Sequence, residues 1–109
     1  MRRHPQSVFG LRLRSAREAA GIPQDKLGTL IGIDEECSSA RISRYETGVH
    51  QPPYEIAQKI AAVLDVPVAY FYCDSETLSE LLYAIADFSE DELARLMKSA
   101  SRIKRKPTQ

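Results

Sequence analysis

The stretch Ala40-Arg41-Ile42-Ser43-Arg44-Tyr45-Glu46-Thr47-Gly48 concentrates side chains that can recognise another molecule. Read as a helix, it turns Ile42 and Tyr45 inward at i, i+3 spacing, leaves Arg41 and Arg44 outward, and ends at Gly48. An exposed helical face of Ser, Ala and Arg suits a DNA major groove. Arg pairs bidentately with guanine, Ser donates or accepts, and Ala touches a thymine methyl.

Other chemistries find less support. Cys37 and Cys73 lie far apart and form no CxxC pair, and with His4 and His50 they show no metal-ligand spacing, so no metal and no cofactor are expected. There is no Ser-His-Asp set and no phosphate-binding Gly loop, and Glu35 and Glu36 point to different faces of any helix. The expectation is a protein that binds rather than catalyses. Tyr70, Phe71 and Tyr72, at the end of a short helix, are expected to plug the core rather than line an effector pocket.

A formal net charge of zero argues at first against a nucleic-acid partner. Its distribution weakens that objection. Residues 1–17 carry Arg2, Arg3, Arg12, Arg14 and Arg17 with no acid, and residues 95–106 carry Arg95, Lys98, Arg102, Lys104, Arg105 and Lys106 with no acid. All 15 acids lie between, so two basic ends are available for phosphates. The chain of 109 residues has room for one small domain with a short extension. No 18-residue apolar run suggests a membrane span, and the charged N-terminus is unlike a signal peptide, so a cytoplasmic location is expected.

The elements that must position the Ser-Ala-Arg face are all helical. Residues 1–8 read as an arm. Phe9, Leu13, Ala16 and Ala20 then recur at helical spacing up to Gly21. Pro23 opens a second helix with Leu27, Leu30 and Ile31 inward and Gly32 at its end. Gly28 within it signals a closely crossing neighbour, since Gly costs a helix interior about 1 kcal/mol relative to Ala. Ser38 or Ser39 is the expected N-cap of the third helix. Val49-His50-Gln51-Pro52-Pro53 must be a loop, and Tyr54, Ile56, Ala57, Ile60, Ala61 and Leu64 form a fourth helix. Pro67 starts a short fifth helix. A sixth follows Ser75 or Thr77, with Leu78, Leu81, Leu82 and Ile85 inward. Ser89 and Glu92 form a capping box for a seventh bearing Leu93, Leu96, Met97, Ala100 and Ile103.

In this order the elements resemble the Cro and phage-repressor (lambda-repressor-like, xenobiotic-response-element type) helix-turn-helix family over residues 9–72. Phe9-Gly10, Arg12-Leu13-Arg14, Arg17, Gly21, Gln24, Leu27, Gly32-Ile33, Ile42-Ser43-Arg44-Tyr45-Glu46, Gly48 and Pro52 stand where that family usually has them. The resemblance implies an all-α, five-helix DNA-binding domain with a C-terminal two-helix extension over residues 73–109. It further implies a salt bridge between Arg17 and Glu46. Ser39, Ala40, Ser43 and Arg44 match base-facing positions, with Arg41 beside them. Arg12, Gln24, Ser38, Thr47, His50 and Gln51 are the expected phosphate contacts.

Three positions depart from the family pattern. The family usually has roughly four residues between the positions of Ile33 and Ile42, and here there are eight, Asp34 through Arg41. Three early ones are acidic and are expected either to project away from a duplex or to extend the third helix backwards. Pro23 replaces the usual Ser or Thr cap, and Gly28 stands where Ala is preferred. The function expected from the resemblance is a sequence-specific transcriptional regulator of bacterial or phage origin. It would repress as a homodimer on a palindromic double-stranded DNA operator, with residues 73–109 as the dimerising hairpin. A phage repressor, a restriction-modification controller and an antitoxin all fit, and a toxin or polymerase partner stays open. The alternative is a protein-interaction module that keeps the fold without binding DNA.

Overall fold

The computed structural model describes residues 7–103. Its elements are α1 (Val8–Ala20), α2 (Gln24–Leu30), α3 (Glu35–Thr47), α4 (Tyr54–Leu64), a 3₁₀ helix (Val68–Tyr72), α5 (Glu76–Ala84) and α6 (Glu90–Arg102). The described residues contain no strand.

Local chemistry accounts for most of the boundaries. The Ser7 hydroxyl accepts from the Gly10 amide at 2.9 Å and so caps α1, whose last carbonyls are met by Gly21 at φ 70°. Ser7 and Val8 therefore belong to the start of α1 and not to an arm; residues 1–6 of the expected arm lie outside the described residues. Pro23 stands just before α2, and its carbonyl accepts the first helical bond from Leu27 at 3.0 Å. Asp65, in the left-handed conformation at φ 62°, ends α4. The expected fifth helix is a 3₁₀ turn, because Pro67 supplies the carbonyl that Tyr70 reaches three residues on.

The core forms where α1, α2, α3, α4 and the 3₁₀ helix meet. Phe9, Leu13 and Ala16 from α1 face Leu27, Ile42, Tyr45, Ala57, Ile60, Leu64 and Phe71. Leu13, Leu27, Ile42, Ile60 and Phe71 are fully withdrawn from water, each stabilising the domain by about 2 kcal/mol. Phe9 stacks between Phe71 and Tyr72, with ring centroids 5.0 and 5.4 Å away. Tyr70 and Phe71 are core residues as expected, whereas Tyr72 is half exposed.

Two expectations for the C-terminal helices need correction. Leu78 and Leu81 of α5 face solvent, at 48% and 44% exposure, and only Leu82 packs on the core. The physical reason is that Ser79 occupies the inward position, buried with its hydroxyl turned to the Glu76 carbonyl at 2.7 Å. α6 carries the capping box, Ser89 Oγ accepting from Glu92 N and Ser89 N donating to Glu92 Oε1, yet none of its residues is buried. The basic residues Lys104, Arg105 and Lys106 lie outside the described residues.

Candidate nucleic-acid interface

α3 starts a full turn before the Ser38 or Ser39 position expected of its cap. Asp34 precedes it, and Glu35 and Glu36 fill the first turn, where carboxylates complement the positive end of the helix. The extra residues between Ile33 and Ile42 therefore extend the third helix backwards. Ser38 cannot cap because its hydroxyl is used elsewhere: fully buried, it donates to the Asp25 carbonyl of α2 at 2.5 Å. That burial also removes Ser38 from the expected phosphate contacts.

Two glycines allow α3 to sit this deep. A Cβ built on Gly28 would lie 1.8 Å from Ser38 Oγ, and one on Gly10 would lie 2.2 Å from the Glu46 carbonyl oxygen. α2 and α1 thus touch α3 backbone to backbone. Ser38, Ile42, Tyr45 and Glu46 form the buried face of α3.

The polar end of the α1–α3 junction is a ring around Glu46, whose side chain has no solvent exposure. Arg17 donates to it through Nε and, at 3.2 Å, through Nη2. Arg14 Nε lies 3.4 Å from the same carboxylate, and Gln24 Nε2 donates to it at 3.0 Å. Arg17 also donates to the Ile22 carbonyl at 3.0 Å, which ties the α1–α2 turn into the ring. Gln24, expected on a phosphate, is instead turned inward by this carboxylate. Its remaining oxygen accepts from Ser39 Oγ at 3.2 Å, so the ring orients one residue of the outward face.

That face is otherwise open. Ser39, Ala40, Arg41 and Arg44 are exposed and Ser43 is half exposed. Ala40 and Arg44 are four residues apart and point directly away from the core, with Ser39 and Ser43 flanking them on the α2 side. Arg41 lies on the other flank, beside Cys37 and Lys59 of α4 around a shallow hollow of about 350 Å³. Glu36, exposed one turn before Ala40, shares the outward face; its place was legible only once the helix was known to begin at Glu35.

The remaining expected phosphate contacts divide. His50 and Gln51 are exposed in the loop after α3. Thr47 is half exposed, but its hydroxyl donates back to the Ser43 carbonyl at 3.0 Å. Arg12 faces away from this surface altogether. It is 8% exposed, donates through Nε to the Cys73 carbonyl at 2.9 Å, and meets Glu76 at 3.2 Å, so it joins α1 to the start of α5. Burial of the guanidinium takes Arg12 out of the phosphate set.

Among the described residues no helix is long and apolar enough to cross a membrane. A helix-turn-helix family model matches residues 13–71, from the middle of α1 to the 3₁₀ helix. The chain is 35% identical over 66 residues to an uncharacterized HTH-type transcriptional regulator of Sinorhizobium medicae, a stretch that covers 61% of this chain and 45% of that one. It is 30% identical over 91 residues to an HTH-type transcriptional regulatory protein of Methanocaldococcus jannaschii, covering 79% of this chain and 27% of that one. The chain spans less than half the length of these curated relatives. The crystal structure of the transcriptional regulator BswR superposes with a TM-score of 0.81 at 36% identity, covering 86% of this chain and 93% of that one. With the motif, its buried junctions and the family match falling on the same residues, the chain belongs to the Cro/C1-type helix-turn-helix family.

Proposed function

We propose that the protein is a sequence-specific DNA-binding transcriptional regulator, acting as a homodimeric repressor of a palindromic operator. The observation that carries this reading is the two-sided construction of α3. One face is locked to α1 and α2 through Gly10, Gly28 and the Glu46 ring, while the other presents Ser39, Ala40, Ser43 and Arg44 to solvent. A helix held that rigidly can place a few side chains in register with base edges. Arg44 reads guanine, Ala40 meets a thymine methyl, and the two serines take either partner. His50 and Gln51 follow the helix at its C-terminal end, where a backbone would run past the groove. The kinship to proteins named as transcriptional regulators supports the same assignment.

One headpiece offers few phosphate contacts, so useful affinity requires two. A two-fold dimer would place its α3 helices about 34 Å apart, one helical turn of the duplex. Residues 73–109 are the part left to hold the two copies together.

Selection from a randomised duplex pool at two salt concentrations tests this directly. The expected result is enrichment of a palindrome, with affinity falling as salt rises. If nothing is enriched and no salt-dependent binding appears, the fold is an interaction scaffold. The acidic Glu35 and Glu36 on α3 would then mark the partner's side.

A further inference from the structure

Residues of α5 and α6 enclose an apolar groove of about 500 Å³ that opens to solvent. Leu81 and Ile85 line one wall, and Leu93, Leu96, Met97 and Ile103 the other. Met97 is 67% exposed and Ile103 71% exposed, and α6 packs closely against no other element among the described residues. A stripe of this kind left in water is an interaction surface.

We propose that the groove is closed by α6 of a second copy, packed antiparallel to the first about a two-fold axis near Leu96 and Met97. The spacing of Leu93, Leu96, Ala100 and Ile103 alternates three and four residues, the pattern by which two helices interdigitate at a shallow angle. The charges select the direction. Glu90, Asp91 and Glu92 fill the first turn of α6, whereas Arg95, Lys98 and Arg102 occupy the rest. A parallel pair would set acid beside acid and base beside base. An antiparallel pair sets each acidic end beside the partner's basic end, and the same patch serves both copies, as two-fold symmetry demands.

Helix polarity alone favours acids at the start and bases at the end of an isolated helix. It does not account for the apolar stripe between them. In the antiparallel register the stripe closes on itself, Leu93 of one copy meeting the small Ala100 of the other. This inference rests on the dimer reading above and adds the geometry of the interface.

Cysteine crosslinking of the full chain tests it, in a background with Cys37→Ser and Cys73→Ser. A disulfide forms only where Cα atoms approach within about 7 Å. Met97→Cys, close to the axis, is expected to crosslink to itself under mild oxidation. Leu93→Cys is expected to fail to crosslink to itself but to crosslink when mixed with Ala100→Cys. Self-crosslinking of Leu93→Cys as readily as Met97→Cys would mean a parallel pair and overturn the proposal. So would a dimer in sedimentation that forms none of these bridges, since its interface would lie elsewhere. A monomer in sedimentation at all concentrations would instead remove the dimer reading itself, and the proposal with it. Met97→Glu should leave the helical circular dichroism intact and shift the protein to monomer.

Discussion

Arg17 of α1 and Glu46 of α3 form an ion pair whose carboxylate is wholly withdrawn from solvent and whose guanidinium is only 12% exposed. Such a pair is worth little net against a well-packed apolar alternative, but breaking it strands a buried charge. Glu46→Ala should therefore destabilise the domain by about 3 kcal/mol, read from urea unfolding. It should also loosen Gln24 and Ser39, so DNA affinity should fall even at temperatures where the variant remains folded.

Gly28→Ala sets two effects against each other. Helix propensity favours Ala by about 1 kcal/mol, but the new methyl would lie 1.8 Å from Ser38 Oγ and 3.0 Å from the Ser38 Cα. The backbone contact cannot yield by a rotamer change, so overpacking wins and a net loss of about 1 to 3 kcal/mol is expected. Adding Ser38→Ala removes the hydroxyl clash and should recover part of that loss. Thermal unfolding of the single and double variants checks the ordering.

Arg44→Ala should cost about 1 to 3 kcal/mol on the selected operator and relax discrimination at one base pair. Titration against operator variants changed one base pair at a time distinguishes this from a phosphate contact, which would weaken all sequences alike.

Arg12→Ala should lower thermal stability without altering the salt dependence of DNA binding. Its Glu76 partner is 77% exposed, so that ion pair adds little, and the bond to the buried Cys73 carbonyl with the packing of the arginine stem dominates. A salt slope reduced by about 1 would show that Arg12 reaches a phosphate after all.

Burial pushes the Tyr70 phenol above its ordinary value of 10.0, with the Arg12 guanidinium opposing and Tyr83 and Glu76 adding to the rise. A proton held more tightly in the folded state gives stability that is complete below pH 10 and lost as pH rises through the folded value. Urea unfolding between pH 9 and 11 should show that decline starting at about pH 10. Tyr70→Phe should flatten it, leaving a smaller slope from Tyr72, which burial also raises.

The sequence by itself determined the helices of the headpiece, because their signals are local. Glycine stops at Gly21 and Gly48, prolines at 23 and 67, and apolar residues at helical spacing need no partner to be read. The close crossing at Gly28 was also legible, since a mid-helix glycine is costly without one. Arg41 and Arg44 were correctly read as outward for the same reason, the inward positions being taken by Ile42 and Tyr45.

Only the tertiary structure decided which polar residues face out. Ser38, Gln24 and Arg12 look like solvent-facing contacts in one dimension, yet each is drawn inward by an acceptor from a distant segment: the Asp25 carbonyl, the Glu46 carboxylate and the Cys73 carbonyl. Ser38 carries the start of α3 with it, since a serine held inside the helix cannot cap that helix. The same holds for Leu78 and Leu81, whose apolar character suggested burial while Ser79 took the inward place. Hydrophobic spacing fixes that a helix forms and which stripe is apolar, but whether a stripe is covered depends on what the rest of the chain brings to it. For α6 the chain brings no close-packed element within the described residues.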